Sequence, residues 1–235
     1  MNIVTMHVVT EDFASHLSEV TDGDLKQPTP CAGWTVGDLY RHVVEENTKF
    51  GHSVSGIPVP FAATTDFRDA AGNVPALRMG GGFDEIYRES ARYMEHGFAA
   101  IDDPEQLRQV AGVPGERQVA ELFEMQIADT LIHTWDLARA VEIDYTPRPE
   151  IADLVLRRMR SVPEAARGEG KPFGAARVVP DTEELTTLDR LLLLSGRDIV
   201  WRPALSSPQE GSLFGWGASA VHDQTTEPSH SAAPR

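Results

Sequence analysis

At 235 residues the chain can form one large domain, or one domain with a C-terminal extension, and is long enough to bury a real core. Hydrophobic residues make up 41% and charged residues 24%, an ordinary globular balance that argues against a fibrous or wholly disordered chain. A formal net charge of −15 leaves no general positive field for phosphate backbones or anionic lipid, so the expected partner is a small-molecule substrate and neither nucleic acid nor membrane.

The N-terminal segment has neither a basic region nor a long apolar run, and no stretch reaches the ~18 apolar residues of a membrane span, so a cytoplasmic location is expected. Phe13, Leu17 and Val20 recur at helical spacing and predict a first helix over about Val9 to Val20, broken by the turn-rich Thr21 to Gly23. The following run, Gln27 to Gly33, holds two prolines and a glycine and cannot be helical. Within it lies Cys31. As the only cysteine it excludes an intramolecular disulfide and a multi-cysteine zinc site, and with nothing basic beside it in sequence its expected role is packing.

Thr35 followed three residues later by Asp38 signals the start of a second helix. Its stripe of Val36, Leu39, Tyr40, Val43, Asn47 and Phe50 has amphipathic spacing, and His42 lies at the edge of that stripe. From Gly51 to Gly82 the chain is rich in glycine, proline and threonine without sustained periodicity, a length of loop that is usually functional or mobile and can lie over a site. A third helix is predicted over Phe83 to Ile101, ended by Asp102, Asp103 and Pro104.

The fourth helix, about Gly115 to Val141, carries Ile127, Ala128, Leu131, Trp135 and Ala138 on one face. Gln126, Asp129, His133 and Asp136 follow at spacings of three, four and three, which aligns them on a second, polar side. Further helices are predicted from Pro149 to Val162 and from Leu185 to Ser195, with Gly168 to Pro180 extended between them. After Pro203 the chain is dominated by Ser, Pro, Gly and Ala and lacks the apolar content to fold alone. The expected organisation is a helix bundle over 1–167, an extension over 168–203 packing on it, and a disordered tail over 204–235.

A metal of the zinc, iron or nickel group takes imidazole and carboxylate ligands, and two such ligands four residues apart on a helix converge on one ion. Asp129 and His133 have that spacing, and His42 on another helix is the candidate third ligand. The plainer reading is an ordinary i,i+4 helix pair worth only ~0.2–0.5 kcal/mol. Against it, the pair sits in a largely apolar helix, where charged groups without partners cost several kcal/mol. Trp34 and Trp135 flank these stretches and would line a pocket or, more commonly for large aromatics, pack in the core. His7, His16, His52, His222 and His230 fit surface or capping roles better, whereas for His96 on the third helix a reach to the site from across the bundle and a solvated helix face are equally open.

Pro28 to His42 (PTPCAGWTVGDLYRH), Asp129 to Ala138 (DTLIHTWDLA) and Asp189 to Asp198 (DRLLLLSGRD) resemble the DinB-like metal-binding proteins related to mycothiol-dependent maleylpyruvate isomerase. The resemblance extends over roughly residues 8 to 203. It implies a mainly α protein: a four-helix bundle with a short irregular C-terminal extension, and a divalent metal held by His42, Asp129 and His133. Zinc is the first expectation for that metal, with nickel and iron as alternatives. The isomerase has Glu where this chain has Asp129, one methylene shorter. The resemblance further implies a low-molecular-weight thiol such as mycothiol, delivered as thiolate to a small electrophile for S-transfer or cis-trans isomerisation. Asp136, one turn beyond His133, is the candidate supporting catalytic group, with a packing role equally open. The same ligands also allow thiol-independent hydrolysis or Lewis-acid chemistry, or a non-catalytic metal-binding module. A homodimer is left open.

Overall fold

The computed structural model describes residues 1–58, 82–168, 173–178 and 184–203. The tail over 204–235, most of the glycine-rich passage and part of the segment expected to be extended lie outside the described residues. The described chain is mainly helical: α1 (Ile3–Leu17), α2 (Val36–Ser55), α3 (Phe83–Ala99), a hairpin of β1 (Leu107–Gln109) and β2 (Glu116–Gln118), α4 (Val119–Ala140), α5 (Pro149–Ser161) and α6 (Thr187–Leu194).

The first four helices pack as a bundle in which α1 and α2 each lie against both α3 and α4, and α5 packs against α4 and α6. Two apolar clusters fill it. One runs from Met6 and Val9 of α1 through Val54, Phe98 and Leu131 to Val155 and Leu192, and the other joins Phe13, Leu39, Tyr87 and Leu137. On α4 the change from the first cluster to the second falls between Trp135 and Leu137, at Asp136.

Helix boundaries depart from the sequence expectations for identifiable reasons. α1 begins at Ile3, because the side chain of Asn2 accepts the Val4 N–H at 3.1 Å and caps the first turn. It ends at Leu17, and Val20 is buried from outside the helix. α2 does not stop at Gly51 but continues to Ser55, closing on Gly56 at φ 70. Gly51 is retained inside the helix for packing: a Cβ on Gly97 of α3 would sit 2.9 Å from the Gly51 carbonyl, so both glycines are needed for this approach of α2 and α3. α4 starts four residues later than Gly115, because 107–118 forms the short antiparallel hairpin that leads into it.

At its far end α4 closes with Ile143 N–H on the Ala138 carbonyl at 2.8 Å, with Glu142 held at φ 57 where glycine is the usual residue. Among the described residues no helix is long and apolar enough to cross a membrane.

Candidate metal centre

The site begins with the loop before α2. Thr29 N–H and Oγ1 both donate to the Trp34 carbonyl, at 2.9 and 3.0 Å, and Val36 N–H donates to the Gln27 carbonyl at 2.9 Å. Gly33 turns the chain at φ 80. These bonds fix Trp34 immediately before the helix. Thr35 then caps α2, its hydroxyl accepting the Asp38 N–H at 3.2 Å while Asp38 Oδ2 accepts the Thr35 N–H at 3.1 Å, a reciprocal cap worth ~1 kcal/mol. Two turns along, His42 meets the middle of α4.

There, His42 Nε2 lies 3.7 Å from Asp129 Oδ2, and His133 Nε2 lies 3.5 Å from Asp129 Oδ1. One atom from each of the three side chains falls within 4.8 Å of the others, the one such group among the described residues that could hold a metal ion. Three donors around one ion at ~2.0–2.2 Å each lie about 4 Å apart or less, so the set fits a divalent ion after a small inward movement. The shorter carboxylate of Asp129 thus still reaches both imidazoles.

Behind the three donors is a buried polar chain. Asp136, with 0% relative exposure, accepts a hydrogen bond from His133 Nδ1 at 2.9 Å, which fixes the ring and leaves Nε2 for the site. Arg197 reaches in from the segment after α6 and donates twice to the same carboxylate, from Nη2 to Oδ2 at 2.8 Å and from Nε to Oδ1 at 3.3 Å. Asp136 therefore does not face the cavity described below; its contact is with His133.

The electrostatics follow from this wiring. Burial alone would lower the His133 pKa, but Asp129 and then Asp136 outweigh it and raise it from 6.5 to about 9. Burial would raise Asp129, yet His133 and His42 hold its carboxyl well below the usual range; for Asp136 burial is outweighed by Arg197 and His133 in the same direction. Glu46, whose Oε1 lies 3.9 Å from His42 Nδ1, is shifted the other way by burial and by Asp129 despite its ion pair with Lys49.

His42, Asp129 and His133 open onto a cavity of 810 Å³. Trp34 forms its wall beside the two imidazoles, packed edge-on to His42 with ring centres 4.8 Å apart and stacked on His133 at 5.8 Å and 16°. It is a pocket residue as well as a neighbour of the core, whereas Trp135 is 5% exposed within the core. Cys31 also lines the cavity, and burial pushes its thiol up to about 11, so it stays a neutral thiol there.

The remaining histidines of the described chain sit elsewhere: His7 pairs with Glu95 at 3.2 Å, His16 bonds the Asp12 carbonyl of its own helix at 2.7 Å, and His52 and His96 are exposed. Arg197 escaped the reading by spacing, since it lies 61 residues from Asp136, and the DRLLLLSGRD motif was the only signal pointing at it.

Fold and site together define a helix bundle with a His/Asp/His centre at the wall of a cavity. The chain belongs to the family described as the mycothiol maleylpyruvate isomerase N-terminal domain, which matches residues 6–138. Among curated proteins it is similar to two uncharacterized proteins from two strains of Mycobacterium tuberculosis, each 29% identical over 202 residues that cover 85% of this chain and 100% of the relative. No solved structure matches it.

Proposed function

We propose that the protein is a divalent-metal-dependent enzyme of the thiol S-transferase or thiol-dependent isomerase type, acting on a small electrophilic substrate. The observation that carries this reading is the position of His42, Asp129 and His133 together on the wall of the 810 Å³ cavity. A purely structural site is normally closed by four protein ligands, whereas three ligands facing open space leave a place for an exogenous one. Imidazole and carboxylate donors suit zinc first, then nickel or iron. A divalent ion bound there would supply Lewis acidity, lowering the pKa of a thiol so that it is available as thiolate at neutral pH. The family supports a thiol such as mycothiol in that role.

The protein's own groups have separable tasks. Asp129 contributes one negative charge, so a dication at the site keeps net positive charge for an anionic sulfur. Asp136, itself held by Arg197, keeps His133 in the tautomer whose Nε2 faces the site. Trp34 shields both imidazoles, and the apolar side chains of Phe50, Met125 and Ile132 provide a dry wall for the substrate carbon skeleton.

The test is metal content of protein purified without added metal, for wild type, His42→Ala and His133→Ala, followed by turnover of electrophilic test substrates with and without a low-molecular-weight thiol. Both variants are expected to lose stoichiometric metal, and turnover is expected to require thiol. Full metal in both variants overturns the site; turnover indifferent to thiol overturns the transferase and isomerase reading in favour of hydrolysis.

A further inference from the structure

Gln126 precedes Asp129 by one turn on the same side of α4, lines the same cavity and is 3% exposed. Its Oε1 is buried and has no hydrogen-bond partner. A buried amide left unsatisfied is costly to the fold, and a side chain of this length on a helix facing open space has no packing need to be polar. The charged groups of the cavity wall are in a different condition. Lys49 is paired with Glu46, and Arg197 is committed to Asp136, so away from the three metal-ligating residues the wall presents no free cation among the described residues. Phe50, Val113, Met125 and Ile132 supply apolar surface around it.

We infer that Gln126 is the ligand-reading group of the cavity, accepting and donating hydrogen bonds to a neutral amide or hydroxyl on the molecule whose thiol end sits at His42, Asp129 and His133. This rests on the thiol reading above and adds the chemical class of the rest of that molecule. The reach fits a short linker: three residues of helix separate Gln126 from Asp129 by ~4.5 Å along the axis. An anionic tail finds no counter-charge beside Gln126, and a purely apolar tail leaves the buried amide unsatisfied. A neutral hydrogen-bonding group satisfies it whichever way the amide is turned.

The experiment is calorimetric titration of zinc-loaded protein with three thiols: N-acetylcysteamine, which carries a neutral amide, butanethiol, and 3-mercaptopropionate. Wild type is expected to bind N-acetylcysteamine about tenfold more tightly than the other two, the size of one well-made hydrogen bond. Gln126→Met and Gln126→Leu are expected to abolish that preference, leaving butanethiol affinity and zinc stoichiometry unchanged. Both variants are also expected to raise the Tm of the thiol-free protein, because the unsatisfied amide is gone. A preserved preference, a lowered Tm in both variants, or tightest binding of 3-mercaptopropionate overturns the assignment of Gln126 alone. If zinc-loaded wild type binds none of the three, the thiol reading itself falls, and this inference with it.

Discussion

Asp136 has no exposure at all, yet it carries a charge, and it is tolerated because Arg197 and His133 both donate to it. Removing Arg197 strands that carboxylate. Arg197→Met is therefore expected to destabilise the protein by ~3–5 kcal/mol in urea unfolding, the cost of breaking a buried pair from one side. Adding Asp136→Asn to it should recover part of the loss, since the uncompensated charge is then gone. Strict additivity of the two changes would show that they act independently and that the bidentate contact is not what holds Asp136. On its own, Asp136→Asn keeps a polar group beside His133 Nδ1 but removes the charge that makes the imidazole a better donor to metal. A metal affinity ~10–100-fold weaker, measured by competition with a chromophoric chelator, is the expected result, and an unchanged affinity would leave Asp136 with a packing role.

At the scale of elements, two positions expose what the local sequence had to satisfy. A Cβ at Gly97 would come within 2.9 Å of backbone in α2, which cannot swing aside as a side chain can. Gly97→Ala should therefore cost ~1–3 kcal/mol of overpacking strain despite the better helix propensity of alanine. Glu142 is the opposite case, a side chain in a left-handed conformation at the end of α4. Glu142→Gly should stabilise by about 0.5 kcal/mol, the relief of the Cβ clash less the greater chain entropy glycine loses on folding. If its unfolding midpoint does not rise, that strain is absent.

The same contrast separates what was legible in the sequence from what was not. α2 and the pair on α4 could be read because their signals are local: a Thr35/Asp38 cap, a 3–4 stripe, and an acid and an imidazole four residues apart. The hairpin of three-residue strands carries no alternation long enough to detect, and its second strand falls within the span expected for the start of α4. Continuation of α2 through Gly51 depends on a partner 46 positions away at Gly97, so a glycine that looked like a terminator is a packing device. Arg197 and Gln126 acquire meaning only once α4, α2 and the segment after α6 surround one cavity.

That cavity wall ties distant parts of the molecule into one ionisable unit, so its charge state should register in global stability. His133 binds its proton more tightly in the folded protein, at about 9 against an ordinary 6.5. In metal-free protein the resulting stabilisation is fully present below pH 6.5 and is lost as the pH rises through 9. Asp129 and Asp136 act in the other direction: their carboxyls lie below the ordinary 3.8, so their contribution is present above that value and fades as the pH falls through the range beneath it. Metal binding to the Nε2 of His133 would displace the proton, and folded-state binding itself adds about 2.7 kcal/mol at a hundredfold excess over Kd. Chelator-treated protein should therefore lose unfolding free energy between pH 6.5 and 9, while zinc-loaded protein keeps or gains it over the same window. The measurement is urea unfolding at several pH values with and without the ion. Parallel curves for the two forms would mean that His133 keeps its proton in both, and the ion would then have to be held without it.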